Sequence, residues 1–368
     1  MSTAQVLDMP PVTVANPASK TGDGEPLIDV VDLHVDFPSR EGVIHAASGV
    51  SFSIQPGETL GLVGESGSGK SVSAQAILRI IPRPGHISKG HIHFRREAGA
   101  APIDLATLPD GDRELLRNRR QDISLIMQEP MSALSPVHTV VNQIVERVRL
   151  ATDATKKDAR DRAIELLQLV GIPNPSERIN TYTFELSGGM RQRAMIAMAL
   201  AGNPKLLIAD EPTTAVDVTI QAQILRLLRR LQDELGMAIL MITHDLGVVA
   251  NLAHHVAVMY RGRIVEHGTT SEIFAAPRHP YTRGLIASVP EMGGDGEGLI
   301  HTIPGVVPHP LTHVPGCDFH PRCAEVMTDL CDQTSPPNVE VAPGHCARCH
   351  LYGDQGLSQG KRNASAKS

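Results

Sequence analysis

The chain has 368 residues, a formal net charge of −6, 41% apolar and 3% aromatic residues, and no tryptophan. This length fits one large domain with an appendage, or two domains, around mainly aliphatic cores. The acidic balance argues against a general nucleic-acid binder, which usually carries a basic excess. Because the sequence has no apolar run long enough to span a bilayer and no signal peptide pattern at its start, it predicts a soluble, cytoplasmic chain.

Both ends of the chain are expected to be disordered tails. Residues 1–26 are rich in Pro, Ala, Thr and Ser, and residues 354–368 have a similar composition. Such segments bury too little apolar surface to offset the entropy of ordering them. Residues 95–113 show little periodicity and are interpreted as a surface loop.

A phosphate-binding loop is the first motif that carries chemistry. Residues 64–71 read Gly-Glu-Ser-Gly-Ser-Gly-Lys-Ser and match G-x-x-x-x-G-K-[ST]. In such a loop, backbone N–H groups surround the phosphates, the lysine reaches the β- and γ-phosphates, and the last hydroxyl ligates magnesium. Lys70 and Ser71 therefore predict a site for a nucleoside triphosphate and its Mg²⁺.

Four short apolar runs fit strands of a parallel sheet that is covered on both faces. These runs are residues 59–63, 123–127, 206–209 and 238–242. They end, in turn, next to the phosphate loop, Gln128, the pair Asp210 and Glu211, and His244. Because ligands bind beyond the carboxyl ends of such strands, these groups are expected on one sheet edge. An apolar stripe over residues 220–235 predicts an amphipathic helix.

Phosphoryl transfer to water explains this set of side chains. The reaction needs a held γ-phosphate, neutralised charge and an aimed water molecule. An unpaired carboxylate at the end of an apolar strand is costly, so Asp210 is expected in a magnesium shell. Glu211 would orient or activate the water, and His244 would donate to the γ-phosphate. Taken singly, each of these residues is more often an ordinary polar residue at a strand end or in a loop, without a catalytic role. Their order and their placement at strand ends favour an ATPase.

A second glycine-rich stretch follows later in the chain. Leu186-Ser-Gly-Gly-Met190 leads into the good helix-forming residues 191–200. This arrangement places backbone N–H groups and a helix N-terminus where an anion can sit. Because one triphosphate needs a single cradle, the second surface is interpreted as serving another subunit's nucleotide.

All five cysteines lie near the carboxyl end of the chain. They are Cys317, Cys323, Cys331, Cys346 and Cys349. In a cytoplasmic chain such clustering favours metal over disulfides. Four thiolates suit an iron–sulfur cluster or zinc, and a group of buried or redox-inert thiols is the alternative.

With both glycine-rich motifs in place, residues 27–268 resemble the ATP-binding subunits of ABC transporters. The resemblance implies an α/β fold, namely the P-loop ABC ATPase domain. Its expected parts are a mainly parallel core sheet, an antiparallel N-terminal β subdomain and a helical subdomain at about residues 130–190. It also implies a head-to-tail sandwich of two ATPase subunits with two ATP molecules at the interface.

The resemblance implies a role for each matched residue. Glu211 would be the catalytic carboxylate, His244 the switch histidine and Gln128 a magnesium ligand and coupling sensor, with Lys70 completing the catalytic set. Phe37 would stack on adenine, with a plain strand residue as the alternative. The implied ATP-binding residues are Phe37, Gly64, Glu65, Ser66, Gly67, Ser68, Gly69, Lys70, Ser71, Val72, Ser187, Gly188, Gly189 and Asp217. The implied magnesium ligands are Ser71, Gln128 and Asp210.

Residues 269–353 carry a narrower resemblance. The segments Arg278-His-Pro-Tyr-Thr282, Gly316-Cys-Asp-Phe-His-Pro-Arg-Cys323 and Cys349-His-Leu351 look like the extension of dipeptide/oligopeptide importer ATPases. The resemblance implies a [4Fe–4S] cluster and leaves Cys346 as a spare or alternative ligand. The matched cysteines are Cys317, Cys323, Cys331 and Cys349. His279 and Tyr281 are interpreted as structural residues of this extension.

The sequence therefore predicts the ATP-hydrolysing motor of an importer for di- or oligopeptides, at the cytoplasmic face of the membrane. The implied partners are a second, different ATPase subunit, two membrane-spanning permease subunits and an extracytoplasmic substrate-binding protein, with no nucleic acid. Nickel or another small solute is an alternative cargo. A soluble ABC ATPase of DNA repair or translation is an alternative class, as is an iron–sulfur redox protein with incidental nucleotide binding. The single nucleotide domain argues against the first of these classes and the complete hydrolytic set against the second.

Overall fold

The computed structural model describes residues 24–128, 133–176, 180–214, 216–289 and 302–353, which form two β-sheets and the helices between them. The expected tails lie outside the described residues, except for residues 24–26. The strands are β1 (Ile28–Pro38), β2 (Val43–Ile54), β3 (Thr59–Val63), β4 (His86–Phe94), β5 (Ile103–Asp104), β6 (Ile123–Ile126), β7 (Leu206–Asp210), β8 (Ala238–Thr243), β9 (His255–Tyr260), β10 (Arg263–Thr269), β11 (Asn338–Ala342) and β12 (His345–Arg348).

Helices connect the strands or cover the larger sheet. They are α1 (Lys70–Ile77), α2 (Arg113–Arg117), α3 (Val140–Ala151), α4 (Lys156–Leu169), α5 (Gly188–Ala199), α6 (Val218–Leu235), α7 (Leu246–Leu252), α8 (Thr270–Ala275) and α9 (Pro280–Ala287). Short 3₁₀ turns are Thr183–Glu185, Leu200–Gly202, His320–Arg322 and His350–Tyr352, and residues Asn118–Asp122 form a π turn. In the described ranges, no helix has both the length and the hydropathy needed to cross a bilayer.

The larger sheet has eight strands in the order β11-β12-β10-β9-β3-β8-β7-β6. Strands β9, β3, β8, β7 and β6 are parallel, and β10, β12 and β11 add antiparallel pairs. The four strands expected from the apolar runs are β3, β6, β7 and β8, each within one residue of its predicted limits. The prediction of a mainly parallel core sheet is therefore confirmed.

The central strands are apolar along their whole length because both faces of the sheet are covered. In β7, Leu206 and Ile208 pack in a core with the smaller sheet and α1. The alternate residues Leu207 and Ala209 pack in the other core, against α3 to α6. Successive residues of a strand point to opposite faces, so a doubly covered strand shows no polar alternation.

The smaller sheet is the antiparallel N-terminal β subdomain, with the order β2-β1-β4-β5. The interpretation of residues 95–113 as a surface loop was wrong in part. Ile103 and Asp104 form the edge strand β5, which pairs with β4, and the next residue, Leu105, is fully buried. A strand of two residues is too short to produce a periodic pattern in the sequence.

Helix α6 confirms the helix expected at residues 220–235. Asp217 caps its start, because the carboxylate accepts a hydrogen bond from the N–H of Ile220 at 2.9 Å. Its apolar stripe faces the sheet, with Leu228 and Leu231 fully buried. The helix ends at Gly236, which adopts a φ of 67°, as helix ends commonly do.

The carboxyl-terminal residues continue the larger sheet. Strand β12 pairs with β10, with Ala347 opposite Glu266 and Cys346 opposite His267, and β11 then pairs with β12. Tyr260, at the end of β9, has its ring centroid 5.2 Å from that of Phe319. The division of the chain at residue 268 stays a prediction, and the observed pairing joins the two predicted parts through one sheet.

Replacing Leu231 by alanine tests the packing of α6 on the sheet. Leu231 is fully buried, so Leu231→Ala should lower the free energy of unfolding by about 2–5 kcal/mol. The control is Leu235→Ala, because Leu235 in the same helix is 43% exposed and should change that free energy by less than about 0.5 kcal/mol. Urea unfolding followed by circular dichroism measures both variants. Equal shifts in the two midpoints would contradict this packing.

Candidate functional site

The phosphate loop joins β3 to α1 and requires glycine at two of its positions. Gly64 has a φ of 153°, and a Cβ there would lie 2.2 Å from the carbonyl oxygen of Met259. Gly69 has a φ of 99°, and a Cβ would lie 2.2 Å from the carbonyl oxygen of Ala46. Any larger residue would move the loop off its neighbours, so the loop path is fixed by backbone contacts.

The remaining loop residues lie between these two glycines or just after them. Ser66 and Gly67 are exposed at the tip, and the N–H of Ser68 donates to the carbonyl of Glu65 at 3.2 Å. Val72, in the first turn of α1, packs on the core between the two sheets. The loop therefore presents its exposed tip to solvent from a fixed base.

Lys70 lies buried beneath this loop. Its ammonium group donates to the carbonyl oxygens of Gly64 at 2.7 Å and Glu65 at 2.9 Å. Burial lowers the pKa of the lysine, and the nearby carboxylates of Glu211 and Asp210 oppose that shift. The charge therefore lies within the loop, where it can neutralise phosphate oxygens.

Ser71 and Asp210 form the magnesium candidate. The Ser71 hydroxyl donates to Asp210 Oδ1 at 3.0 Å, across the gap between α1 and the end of β7. Burial raises the pKa of Asp210, and the hydrogen bond from Ser71 opposes that rise. A hydroxyl and a buried carboxylate side by side are oxygen ligands of the kind that Mg²⁺ takes, and a cation would stabilise the ionised carboxylate.

Glu211 is the centre of a polar network at the carboxyl edge of the sheet. One carboxylate oxygen lies 2.9 Å from His244 Nδ1, and the other accepts from Gln128 Nε2 at 3.0 Å and from the Thr214 hydroxyl at 2.9 Å. Burial alone would raise the pKa of Glu211, but the hydrogen bonds from His244 and Thr214 hold it below its usual value. The carboxylate is thus ionised at neutral pH and able to accept a hydrogen bond from water.

The structure therefore places the strand-end residues together as expected. Gln128, Glu211 and His244 come from the ends of β6, β7 and β8. Gln128 contacts Glu211 through its amide nitrogen, so its assignment as a magnesium ligand stays a prediction. Glu211 has a φ of 48°, an uncommon conformation for a residue with a side chain and one that is often found at functional sites.

The signature residues open helix α5 on the surface of the chain. Ser187 is its N-cap, and Ser187 and Gly188 are exposed. Gly189 lies against α6, where a Cβ would approach the Ile220 side chain to 3.1 Å. Asp217, the exposed N-cap of α6, lies three residues before Ile220. This surface presents the first turn of a helix, whose first N–H groups have no acceptor within the helix, and Ser187 Oγ accepts the one from Met190 at 3.4 Å.

Phe37 lies near the end of β1 and is partly buried. Its ring lies against Gly85, where a Cβ would come within 2.4 Å of Phe37 Cε1. The ring also packs on the core beneath the smaller sheet. Both observations describe a residue packed near the end of an inner strand, between β2 and β4, and its stacking on adenine stays a prediction.

Four of the five cysteines lie within electrostatic range of one another. Burial, with charge on Cys317, Cys323 and Cys331 acting in the same direction, raises the pKa of Cys349 to about 12. Burial also raises the pKa of Cys317 to about 11. In the described part of the chain, no three of these sulfurs all lie within 4.8 Å of one another. The thiols are therefore grouped, but they do not form a closed tetrahedron around a single ion.

Cys346 lies apart from that group. It is a residue of β12 opposite His267, and burial raises its pKa to about 11 with Glu340 as its charged neighbour. His320, between the first two cysteines, directs Nδ1 to the carbonyl of Cys317 at 2.9 Å. That bond gives the imidazole a structural partner.

Two contacts to the phosphate loop were missed by reasoning from the sequence. The guanidinium of Arg322 pairs with both carboxylate oxygens of Glu65, at 2.7 and 3.1 Å. The N–H of Glu65 donates to the Tyr281 hydroxyl at 2.9 Å. Tyr281 was expected to be structural within the extension, as was His279, which accepts from the N–H of Tyr281 and caps α9. No local pattern shows contacts across more than 200 residues.

Comparison with known proteins shows the family to which the chain belongs. The family model described as ABC transporter matches residues 47–214, and the one described as oligopeptide/dipeptide transporter, C-terminal region, matches residues 265–331. The oligopeptide transport ATP-binding protein OppD of Bacillus subtilis (strain 168) is 48% identical over 326 residues, which cover 88% of each chain. The dipeptide transport ATP-binding protein DppD of Escherichia coli (strain K12) is 45% identical over 324 residues, which cover 88% of this chain and 96% of that protein.

Solved structures give the same result for the fold. The dimeric structure of MJ0796, a bacterial ABC transporter cassette, matches with a TM-score of 0.58 and 26% identity, over 66% of this chain and 98% of that one. A dimeric post-hydrolysis state of the MJ0796 cassette, bound to ADP and Pi, matches with a TM-score of 0.56 and 27% identity over the same shares of the two chains. The chain belongs to the ABC transporter ATP-binding proteins and carries the carboxyl-terminal region of the oligopeptide/dipeptide transporters.

Proposed function

We propose that this ATPase is the motor subunit of an importer for di- or oligopeptides. The observation that carries the proposal is that one chain combines the Glu211 network with an extension of the oligopeptide/dipeptide transporter type. Relatives at 45–48% identity are named as dipeptide and oligopeptide transport ATP-binding proteins. Those names favour a peptide over nickel or another small solute as the cargo, and a transporter over an ATPase of DNA repair or translation.

The geometry supports hydrolysis at the carboxyl edge of the sheet. The phosphate loop and Lys70 hold the β- and γ-phosphates, and Glu211 accepts a hydrogen bond from the attacking water. The water oxygen bonds to the γ-phosphorus while the bond to the β–γ bridging oxygen breaks, which yields ADP and phosphate. A magnesium ion held by Ser71 and Asp210 would neutralise charge on the phosphates. His244 holds the Glu211 carboxylate through Nδ1, and its other ring nitrogen would donate to a γ-phosphate oxygen.

A second ATPase subunit is the partner that the exposed signature surface fits. Ser187 and Gly188 are exposed, and Val218 beside Asp217 is 81% exposed. A helix N-terminus, with its positive dipole end, is a site for the phosphates of a nucleotide held by another subunit. The solved MJ0796 cassettes are dimeric, which supports a sandwich. The likeness to peptide importers favours a different chain as this partner.

The chain would act at the cytoplasmic face of the membrane. Two permease subunits would hold it there, and an extracytoplasmic substrate-binding protein would deliver the cargo to them. Closure of the ATP sandwich would turn the helical subdomain, which includes α3 and α4, against the permeases. The names of the relatives as transport ATP-binding proteins support partners of this kind.

The thiols of the extension are proposed to hold a [4Fe–4S] cluster, with zinc as the alternative. Buried thiols with raised pKa values become thiolates only when a cation stabilises them, and a four-iron cluster takes four such ligands. The charge coupling of Cys317, Cys323, Cys331 and Cys349 supports this set over one that includes Cys346. The cluster would fix a loop-rich segment that has little core of its own.

Glu211→Gln tests the catalytic carboxylate. The amide keeps the shape of the side chain but cannot accept the water proton, so hydrolysis should fall by at least about 100-fold while ATP still binds. Phosphate release and nucleotide binding are measured on the assembled complex. Glu165→Gln is the control, because Glu165 pairs with Arg162 on the surface of α4. The Glu165→Gln variant should hydrolyse ATP at the wild-type rate. Rapid turnover by Glu211→Gln would contradict the assigned role.

Ser187→Arg tests whether the signature serves the partner's nucleotide. The long cationic side chain would fill the space into which the partner's ATP must fit. Photolabelling with azido-ATP in the complex reports which chain holds nucleotide. Labelling of the partner should fall about tenfold or more, while this chain keeps its own label. Lys70→Ala is the matched comparison and should reduce the label on this chain. Loss of the chain's own label in Ser187→Arg would refute the shared site.

The metal content of anaerobically purified protein tests the cysteine assignment. A cluster predicts brown protein with about four irons per chain. Cys323→Ala should lose the iron, whereas Cys346→Ala should keep it because Cys346 lies apart from the group. A colourless preparation that contains zinc alone would rule the cluster out.

A further inference from the structure

The carboxyl-terminal extension contacts the phosphate loop at Glu65. Arg322 Nη1 donates to Glu65 Oε2 at 2.7 Å, and Nη2 donates to Oε1 at 3.1 Å. This paired geometry is the strong, directional form of a charge-assisted hydrogen bond. Because the two residues are 257 positions apart, the contact ties two predicted parts of the chain to each other.

Arg322 is held so firmly that it can position its partner. Its side chain is only 4% exposed, whereas the side chain of Glu65 is 31% exposed. Arg322 Nε donates to the carbonyl of Pro304 at 3.1 Å, and its guanidinium lies 5.8 Å from the ring centroid of Tyr260. The hydrogen bonds to Glu65 raise the pKa of Arg322 further, so the charge is permanent.

Tyr281 supplies the second contact. Its hydroxyl accepts the N–H of Glu65 at 2.9 Å, and its side chain is fully buried. The ring centroid lies 4.8 Å from that of Tyr260 and 5.4 Å from that of Phe319, so the hydroxyl is carried on a packed aromatic cluster. Burial raises the pKa of Tyr281, and the hydroxyl therefore keeps its proton.

The two contacts complete the bonding of Glu65. Its carboxylate pairs with Arg322, its N–H with Tyr281, and its carbonyl with the ammonium of Lys70 at 2.9 Å. Lys70 is the residue that reaches the phosphates. The extension and the phosphate-binding lysine thus hold opposite sides of the same residue.

We propose that the carboxyl-terminal extension sets the nucleotide affinity of the phosphate loop, with Arg322 and Tyr281 as positioning residues. The inference rests on the proposed ATPase function of that loop. A loop already ordered before ATP arrives loses less entropy on binding, and its amides point at the phosphates from the start. Arg322 belongs to the 3₁₀ turn His320–Arg322 and directly precedes Cys323, so its placement depends on the fold of the cysteine segment.

The proposal is tested by measuring KM for ATP and kcat of ATP hydrolysis by the assembled complex, because a positioning residue should change KM and leave kcat nearly unchanged. In Arg322→Gln, KM for ATP should rise about tenfold while kcat stays within about twofold, because the chemistry at Glu211 is untouched. Arg322→Lys keeps one charge without the paired geometry and should recover part of the loss. Tyr281→Phe removes only a hydroxyl from the buried ring and should raise KM about threefold. The control is Arg283→Gln, since Arg283 pairs with Glu325 within the extension at 2.6 Å, away from Glu65.

The pair Glu65→Gln and Arg322→Gln completes the test. If Arg322 acts through Glu65, the double variant should show a KM no higher than the single variants. Additive effects, or KM values for Arg322→Gln and Tyr281→Phe equal to that of Arg283→Gln, would overturn the proposal. Should Arg322→Gln fail to fold, Tyr281→Phe decides the question alone. A wild-type complex without ATP hydrolysis would instead contradict the proposed function itself.

Discussion

The parallel pairing of β6, β7, β8 and β3 is the constraint on which the site depends. Parallel strands bring their carboxyl ends to one edge, so each strand delivers its next residues to the same place. The phosphate loop follows β3, Gln128 follows β6, Asp210 ends β7 and His244 follows β8. The condition for this arrangement is a sheet covered on both faces, which the two apolar cores provide.

The backbone around Glu211 orients its carboxylate toward the other residues at this edge of the sheet. Its N–H donates to the carbonyl of Ile242 at 2.9 Å, which keeps the backbone against β8 one residue beyond the ladder. Its φ of 48° then turns the chain away from the strand direction. The carboxylate consequently faces the residues after β6 and β8, and three donors fix it there. Ladder geometry and one uncommon backbone conformation together aim the side chain.

Local patterns explain why much of this could be predicted. Strand limits follow from apolar runs, and the loop at residues 64–71 follows from a motif whose glycines have a geometric purpose. Contacts between distant segments leave no such pattern. The pairing of β12 with β10, the separation of Cys346 from the other thiols, and the Arg322–Glu65 pair depend on the finished fold. The edge strand β5 was not predicted for a different reason, because a strand of two residues is too short to show a periodic pattern in the sequence.

The burial of Arg322 adds little to the stability of the fold, and its effect is to fix the geometry of Glu65. Removing a guanidinium and a carboxylate from water costs several kcal/mol per ion, which their mutual attraction roughly offsets, so such a pair adds little net stability. Replacing both partners by apolar residues of similar volume would leave the fold about as stable or more stable. What an apolar residue cannot do is fix the direction of Glu65, because only a planar, five-donor group holds both carboxylate oxygens while a further N–H is bound to Pro304. The extension therefore presents a rigid polar contact to the phosphate loop. Because β12 of the extension pairs with β10, the extension and the site belong to the same sheet.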